Sequence, residues 1–301
     1  MSRLSEPFRA RLQETLSGQP TGVPAWVREF ESGTDGGFFG PESAVWAVHG
    51  GMPTLVAGIR ALLMQALHPG ALAGVYDWSR FRDDPLGRLN GTIRWIFTVS
   101  YGDTAQAVGG SEWVKRLHER VVGDYVDGHG RARRYAANDP ELASWVHLAF
   151  TDAFLTAHEY WGGPIPGGAD AYVAQWAIAG ELMGVPRPPR SRAELKSSLN
   201  AYADAGELRC DDRTSEVVRF VRRAPVRRLL RPSYAVLFGG AVASLEPRFR
   251  RMLGLEMPHL GPVPLPVRST TGVMLRGAGA LLGPQTAGEK AARARLQTLG
   301  A

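Results

Sequence analysis

His118 is the residue whose type and setting most narrowly define a chemistry. It falls in the run Val114-Lys115-Arg116-Leu117-His118-Glu119-Arg120-Val121-Val122-Gly123. Val114, Leu117, His118 and Val121 share one stripe of a helical projection, and Lys115, Arg116, Glu119 and Arg120 face elsewhere. An inward imidazole of this kind can ligate iron axially. Upstream, Arg88 and Thr92 are four apart and share a helix face, so both can donate to one carboxylate. An axial nitrogen plus a cationic and a hydroxyl partner for propionates is what a haem requires. The spacing alone leaves plainer readings open. A lone inward histidine is more often a satisfied core residue, and an Arg–Thr pair near a helix start is more often a surface pair.

The chain has seven histidines: His49, His68, His118, His129, His147, His158 and His259. His147 and His158 are eleven residues apart on one helix, roughly 16 Å, too far to share a metal. His147 has Thr151 and Phe154 on its face, and reads either as a packed core histidine or as pocket lining. Other chemistries lack their residues. There is no strand followed by GxGxxG, no GxxxxGK[ST], no HExxH and no G-x-S-x-G. No Glu-x-x-His pair occurs, which disfavours a ferritin-like di-iron bundle. The single cysteine, Cys210, lies between Arg209 and Asp211, a polar setting poorly suited to thiolate ligation.

The elements that must position these residues read as helices. Residues 1–40 form a lead-in ending in a glycine-rich loop, and Pro41-Glu42-Ser43 opens a long apolar helical stretch to about Leu67. His68-Pro69 marks a kink or boundary. After a loop over 77–84, helices are expected from about Leu86 to Ser100 and Thr104 to Val122, joined at Tyr101-Gly102-Asp103. Residues 131–138 read as a basic connection. Asp139-Pro140-Glu141 caps a helix running to about Tyr160, and a further helix spans Ala169 to Met183. Ser191-Arg192-Ala193-Glu194 has capping-box spacing. Helices are then expected over 213–223, 225–230 and 234–251, an extended proline-rich stretch over 257–266, and a charged helix or frayed tail from Ala287. No sustained strand alternation or βαβ rhythm is present, so the expected fold is mainly α. The expected division is a lead-in (1–40), a helical domain (41–255) and a Pro-rich segment with a tail (256–301).

Composition narrows the partners. The 301 residues carry a net charge of +6, 44% hydrophobic and 21% charged residues, ordinary for a globular chain with a full core. Lysine occurs only at Lys115, Lys196 and Lys290. The Arg, Ala, Gly and Pro enrichment therefore has a plain explanation in a GC-rich genome, and nucleic-acid binding is not expected. The Arg219–Arg231 run (Arg219, Arg222, Arg223, Arg227, Arg228, Arg231) lacks aromatic interleaving and reads first as a solvated face. One cysteine rules out an internal disulfide and fits a reducing cytoplasm. Residues 1–40 lack an apolar core of signal-peptide length. The most apolar stretch, Leu55 to Ala73, is broken by Arg60, Gln65, His68 and Pro69, so no transmembrane segment is expected.

Taken in order, several runs resemble the mpaB-type oxygenases, the family that includes the latex-clearing rubber oxygenases. They are Gln65-Ala66-Leu67-His68-Pro69, Phe81 through Thr92, Tyr101-Gly102-Asp103, Val114 to Gly123, Tyr135 through Pro140, Trp145-Val146-His147 and Gly184-Val185-Pro186. The resemblance covers roughly residues 40–200, with a weaker helical continuation to about 255. It implies a single helical domain with a globin-like core and a b-type haem. It implies His118 as proximal iron ligand, Arg88 and Thr92 beside the haem, and, less firmly, His147 lining the pocket. In the rubber-cleaving members a lysine one residue before the matching threonine can occupy the distal iron position. Here that residue is Gly91, which offers no ligand and puts rubber cleavage itself in doubt.

The leading expectation is a haem b-dependent oxygenase acting with dioxygen on a small apolar substrate, unsaturated ones included. The alternatives are a non-catalytic haem sensor or carrier, and a basic helical binding protein without haem.

Overall fold

The computed structural model describes residues 23–79, 81–260, 262–283 and 285–300, with side chains there except at 85, 86, 88, 89, 260 and 264. Helices dominate. They are α1 (Ala25–Arg28), α2 (Ala44–Gly50), α3 (Thr54–Gln65), α4 (Pro69–Trp78), α5 (Pro85–Tyr101), α6 (Thr104–His118) and α7 (Pro140–Trp161). After these come α8 (Gly168–Leu182), α9 (Arg192–Asp204), α10 (Asp212–Arg222), α11 (Arg231–Ser244), α12 (Pro247–Met252), α13 (Val267–Leu282) and α14 (Ala287–Leu299). The chain is mainly α, as the absence of strand alternation predicts.

Beside the helices and two 3-10 turns (Glu29–Glu31 and Arg228–Leu230) stand two antiparallel hairpins among the described residues: β1 (Val122–Val126) with β2 (Ala132–Ala136), and β3 (His259–Leu260) with β4 (Val263–Pro264). The first replaces the expected basic connection and shortens the helix expected to reach Val122, which stops at His118. Asp127 makes the turn: its Oδ1 accepts from the N–H of His129 and of Arg131, both at 2.9 Å. Tyr135 points back into the molecule, 3% exposed, and donates to Asp77 Oδ2 at 3.1 Å.

The core is built on α3 against α7. Arg60, 1% exposed in the middle of α3, pairs with Asp152 of α7 and reaches the Ser244 carbonyl at the end of α11. This cation interrupts an apolar stretch yet is buried, because a carboxylate and a carbonyl replace water. Trp145, Leu63, Met64 and Leu67 are fully enclosed around it. The expected single helix over 41–67 is two, α2 and α3, bent by 93° at Gly51-Met52-Pro53. Pro41-Glu42-Ser43 precedes α2 rather than forming its first turn: Ser43 is the cap, its side chain accepting from Trp46 N–H. Among the described residues no single helix is long and apolar enough to cross a membrane, and only this bent pair has the combined length.

Other starts follow their caps. His68 caps α4 with its ring, Nδ1 accepting from Gly70 and Ala71 N–H, ahead of Pro69. Asp139 caps α7 ahead of Pro140. Ser191 accepts from Glu194 N–H at α9, but Glu194 reaches back to Arg190 N–H. The helix expected over 225–230 is a single 3-10 turn, Arg228–Leu230, and that expected over 234–251 is broken at Leu245-Glu246-Pro247 into α11 and α12. Helix α13 falls where no element was expected. Helix α14 is docked rather than frayed. Arg295, 1% exposed, donates through Nη1 to the carbonyls of Phe30 and Tyr101 and through Nη2 to that of Gly36.

Candidate functional site

Helices α5 and α6 form an antiparallel hairpin. Asp103 closes it with a capping box: its carboxylate accepts from Gln106 N–H while Gln106 Oε1 accepts from Asp103 N–H. Along the hairpin, Trp95 Nε1 donates to Ser111 Oγ at 3.1 Å. Gly110 permits the approach, since a Cβ there would stand 3.1 Å from Thr98 Cγ2.

The Trp95–Ser111 bond sets the register of the candidate residues. Arg88 lies seven positions before Trp95 and His118 seven after Ser111, so both stand about 10 Å beyond that bond, at the open end of the hairpin. Thr92 is one turn closer. The His118 ring is partly buried on the last residue of α6, with its Nδ1 closed off from solvent. Thr92 is partly buried. The Arg88 side chain lies outside the described residues, though its backbone is in α5. Gly91 faces open space: a Cβ there would meet nothing within 4 Å.

The start of α7 is fastened to the same end. Asn138 Nδ2 donates to the Lys115 carbonyl at 2.9 Å, in the last turn of α6. His147 lies seven residues past Pro140, about 10 Å along α7. It is 7% exposed and packs against α8 so closely that a Cβ on Gly180 would stand 3.1 Å from three of its ring atoms. Burial pulls its pKa down to about 4, so the ring is neutral at pH 7. Its Nε2 is buried without a hydrogen-bond partner. Such an unsatisfied buried nitrogen is uncommon in a folded chain.

The remaining histidines separate by role. His49 is a core residue, bonded through Nδ1 to Ser100 Oγ (2.7 Å) and through Nε2 to Tyr172 OH (3.0 Å), with its pKa lowered to about 3 by burial and by nearby His158. His68 uses Nδ1 for its cap and keeps a buried Nε2 without a hydrogen-bond partner. His129 is exposed beside Glu207, Nε2 to Oε1 3.6 Å. Cys210 is exposed. The arginines of the 219–231 run are exposed on α10, the following turn and the first residue of α11.

No group of three His, Cys, Asp or Glu side chains that could hold a metal ion occurs among the described residues. What the hairpin end offers an iron centre is one imidazole, a hydroxyl and an open glycine. That fits a cofactor which brings its own equatorial ligands and asks the protein for an axial nitrogen.

The chain matches a family model described as ER-bound oxygenase mpaB/B'/Rubber oxygenase, catalytic domain, over residues 46–282. An oxygenase catalytic domain is therefore the class of protein that this helical fold carries. The chain belongs to the mpaB and rubber oxygenase family, and the match runs from α2 to the end of α13 with the α5–α6 hairpin and His147 inside it. No curated protein and no solved structure matches the chain.

Proposed function

We propose that the protein is a haem b-dependent oxygenase that uses dioxygen on a small apolar substrate, unsaturated ones included. The observation that carries this reading is the hairpin register. It stands Arg88 and His118 level at one open end, within the residues matched to an oxygenase family.

In this reading His118 would hold the haem iron. Its Nδ1 faces the protein, so Nε2 is the nitrogen that would reach iron. Arg88 and Thr92 hold the propionates, the guanidinium by charge-assisted bonds and the hydroxyl as a second donor. When bound, the haem supplies the iron at which dioxygen is activated. Gly91 would leave its side of the site open, since a Cβ there would meet nothing within 4 Å. The neutral His147 ring holds Nε2 as a polar contact in an otherwise apolar wall. Ile93, Val114 and Leu117, all partly buried on the two hairpin helices, exclude water from the site.

The distinguishing experiment is oxygen uptake by the haem-loaded protein against a panel of unsaturated apolar compounds. Substrate-dependent uptake that disappears in His118→Ala is expected. Haem binding with no substrate-dependent uptake across the panel would favour the alternative of a sensor or carrier.

A further inference from the structure

Toward the other end of the α5–α6 hairpin the protein holds a cavity. It encloses about 390 Å3 where the α2–α3 elbow, the last turn of α7, and α13 and α14 meet. Gly50 lines it, and a Cβ on Gly50 would stand 3.4 Å from the Tyr101 hydroxyl. Tyr101 lies nine residues from Thr92, about 14 Å along α5. The cavity is therefore separate from the proposed haem end.

Its polar groups are not those of a packing defect. His158 is 4% exposed and lines the cavity. Its Nε2 donates to the Gly163 carbonyl at 3.0 Å, which leaves the lone pair on Nδ1. That Nδ1 is buried and has no hydrogen-bond partner. Gly162 lets the chain pack directly over the ring, since a Cβ there would stand 2.5–2.6 Å from Cε1, Nδ1 and Cδ2. Burial lowers the His158 pKa, which keeps Nδ1 an acceptor at neutral pH. Glu289 contributes a carboxylate already committed to Arg293, Oε1 to Nη2 2.9 Å. Arg276 lines the cavity, is exposed, and forms no ion pair among the described residues. Trp46, Met52 and Leu275 supply apolar wall.

An unpartnered acceptor at the back, flat apolar sides and an unmatched cation outside ask for a donor, a ring and an anion. We propose that this cavity binds a small hydroxylated aromatic acid. Its hydroxyl donates to His158 Nδ1, its ring lies among Trp46, Met52 and Leu275, and its carboxylate meets Arg276. A site of this volume is in the usual range for small ligands. Glu289 lies beyond the residues matched to the family, so the cavity depends on this chain's own C-terminal helix. The proposal uses none of the residues assigned to haem, and its failure would leave that assignment untouched.

Isothermal titration of the full chain with 3- and 4-hydroxybenzoate, and with their methyl ethers, tests it. At least one hydroxy acid should bind at least about tenfold tighter than its ether, because a buried acceptor rejects a ligand lacking the donor. Arg276→Ala should weaken that binding by about tenfold. Ala47→Leu, which fills the cavity from α2, should abolish it without changing the circular dichroism spectrum. Equal binding of acid and ether, no binding of either hydroxy acid, or undiminished binding to a folded Ala47→Leu variant would overturn the proposal.

Discussion

Three imidazoles, His49, His68 and His147, are held neutral by burial, with pKa values of about 3, 4 and 4 against 6.5 for the free side chain. The unfolded chain takes up protons below about pH 6.5 that the folded chain refuses. Stability is therefore fully present above that pH and is lost as pH falls from about 6.5 toward 4. At pH 5 the loss is on the order of 2 kcal/mol per ring. Urea denaturation should show a lower midpoint at pH 5 than at pH 7.5, and an unchanged or higher midpoint at pH 5 would contradict these environments. At this scale the sequence was informative about candidates and silent about assignments. A helical stripe pointed to His118 and the face of Thr151 to His147, but nothing in spacing distinguished His68, which caps a helix, from a ligand. Spacing already separated His158 from His147, and only the fold shows His158 lining a cavity.

At the scale of elements, Asp103 joins the two halves of the candidate site. Besides capping α6 it accepts from Thr34 N–H at 3.0 Å, so it also fastens the loop that precedes α2. Asp103→Ala should cost about 1–2 kcal/mol, the usual loss for an N-cap aspartate. It should also loosen the α5–α6 hairpin, seen as faster hydrogen exchange in the first turn of α6. Stability and exchange equal to those of the unaltered protein would show the hairpin to be held elsewhere. Caps were the most legible feature of the chain: Asp139-Pro140 and the Gly102 stop fall within a residue of their expected places. The β1–β2 hairpin was not legible. Its strands are five residues each, and Arg133 and Arg134 give the second a solvent-facing pattern. The signal available was Asp127-Gly128 between Tyr125-Val126 and Tyr135, a turn dipeptide between short apolar pairs. Helix α13 escaped because its three glycines, Gly272, Gly277 and Gly279, weaken every helical signal.

Over the whole molecule, buried arginines cross-link segments far apart in sequence. Arg60 joins α3, α7 and α11, and Arg295 joins α14 to the segment before α2 and to the end of α5. Composition could not reveal this, since these two read as part of a general arginine excess. Removing one partner leaves the other charge buried and uncompensated. Arg60→Ala should therefore destabilise by about 3–5 kcal/mol, and the Arg60→Met, Asp152→Leu double variant by much less. Thermal denaturation of the three proteins decides it. A double variant as unstable as the single would mean that packing volume rather than charge compensation is what Arg60 contributes.

The central claim is that one imidazole at the open end of the α5–α6 hairpin holds a haem. A pyridine haemochrome assay on protein expressed with haem supply tests it most directly, comparing the natural sequence with His118→Ala and His129→Ala. The account predicts near-stoichiometric b-type haem in the natural sequence and in His129→Ala, and a sharp loss in His118→Ala. Equal haem content in the two variants, or a natural protein that stays colourless with added haemin, would contradict it.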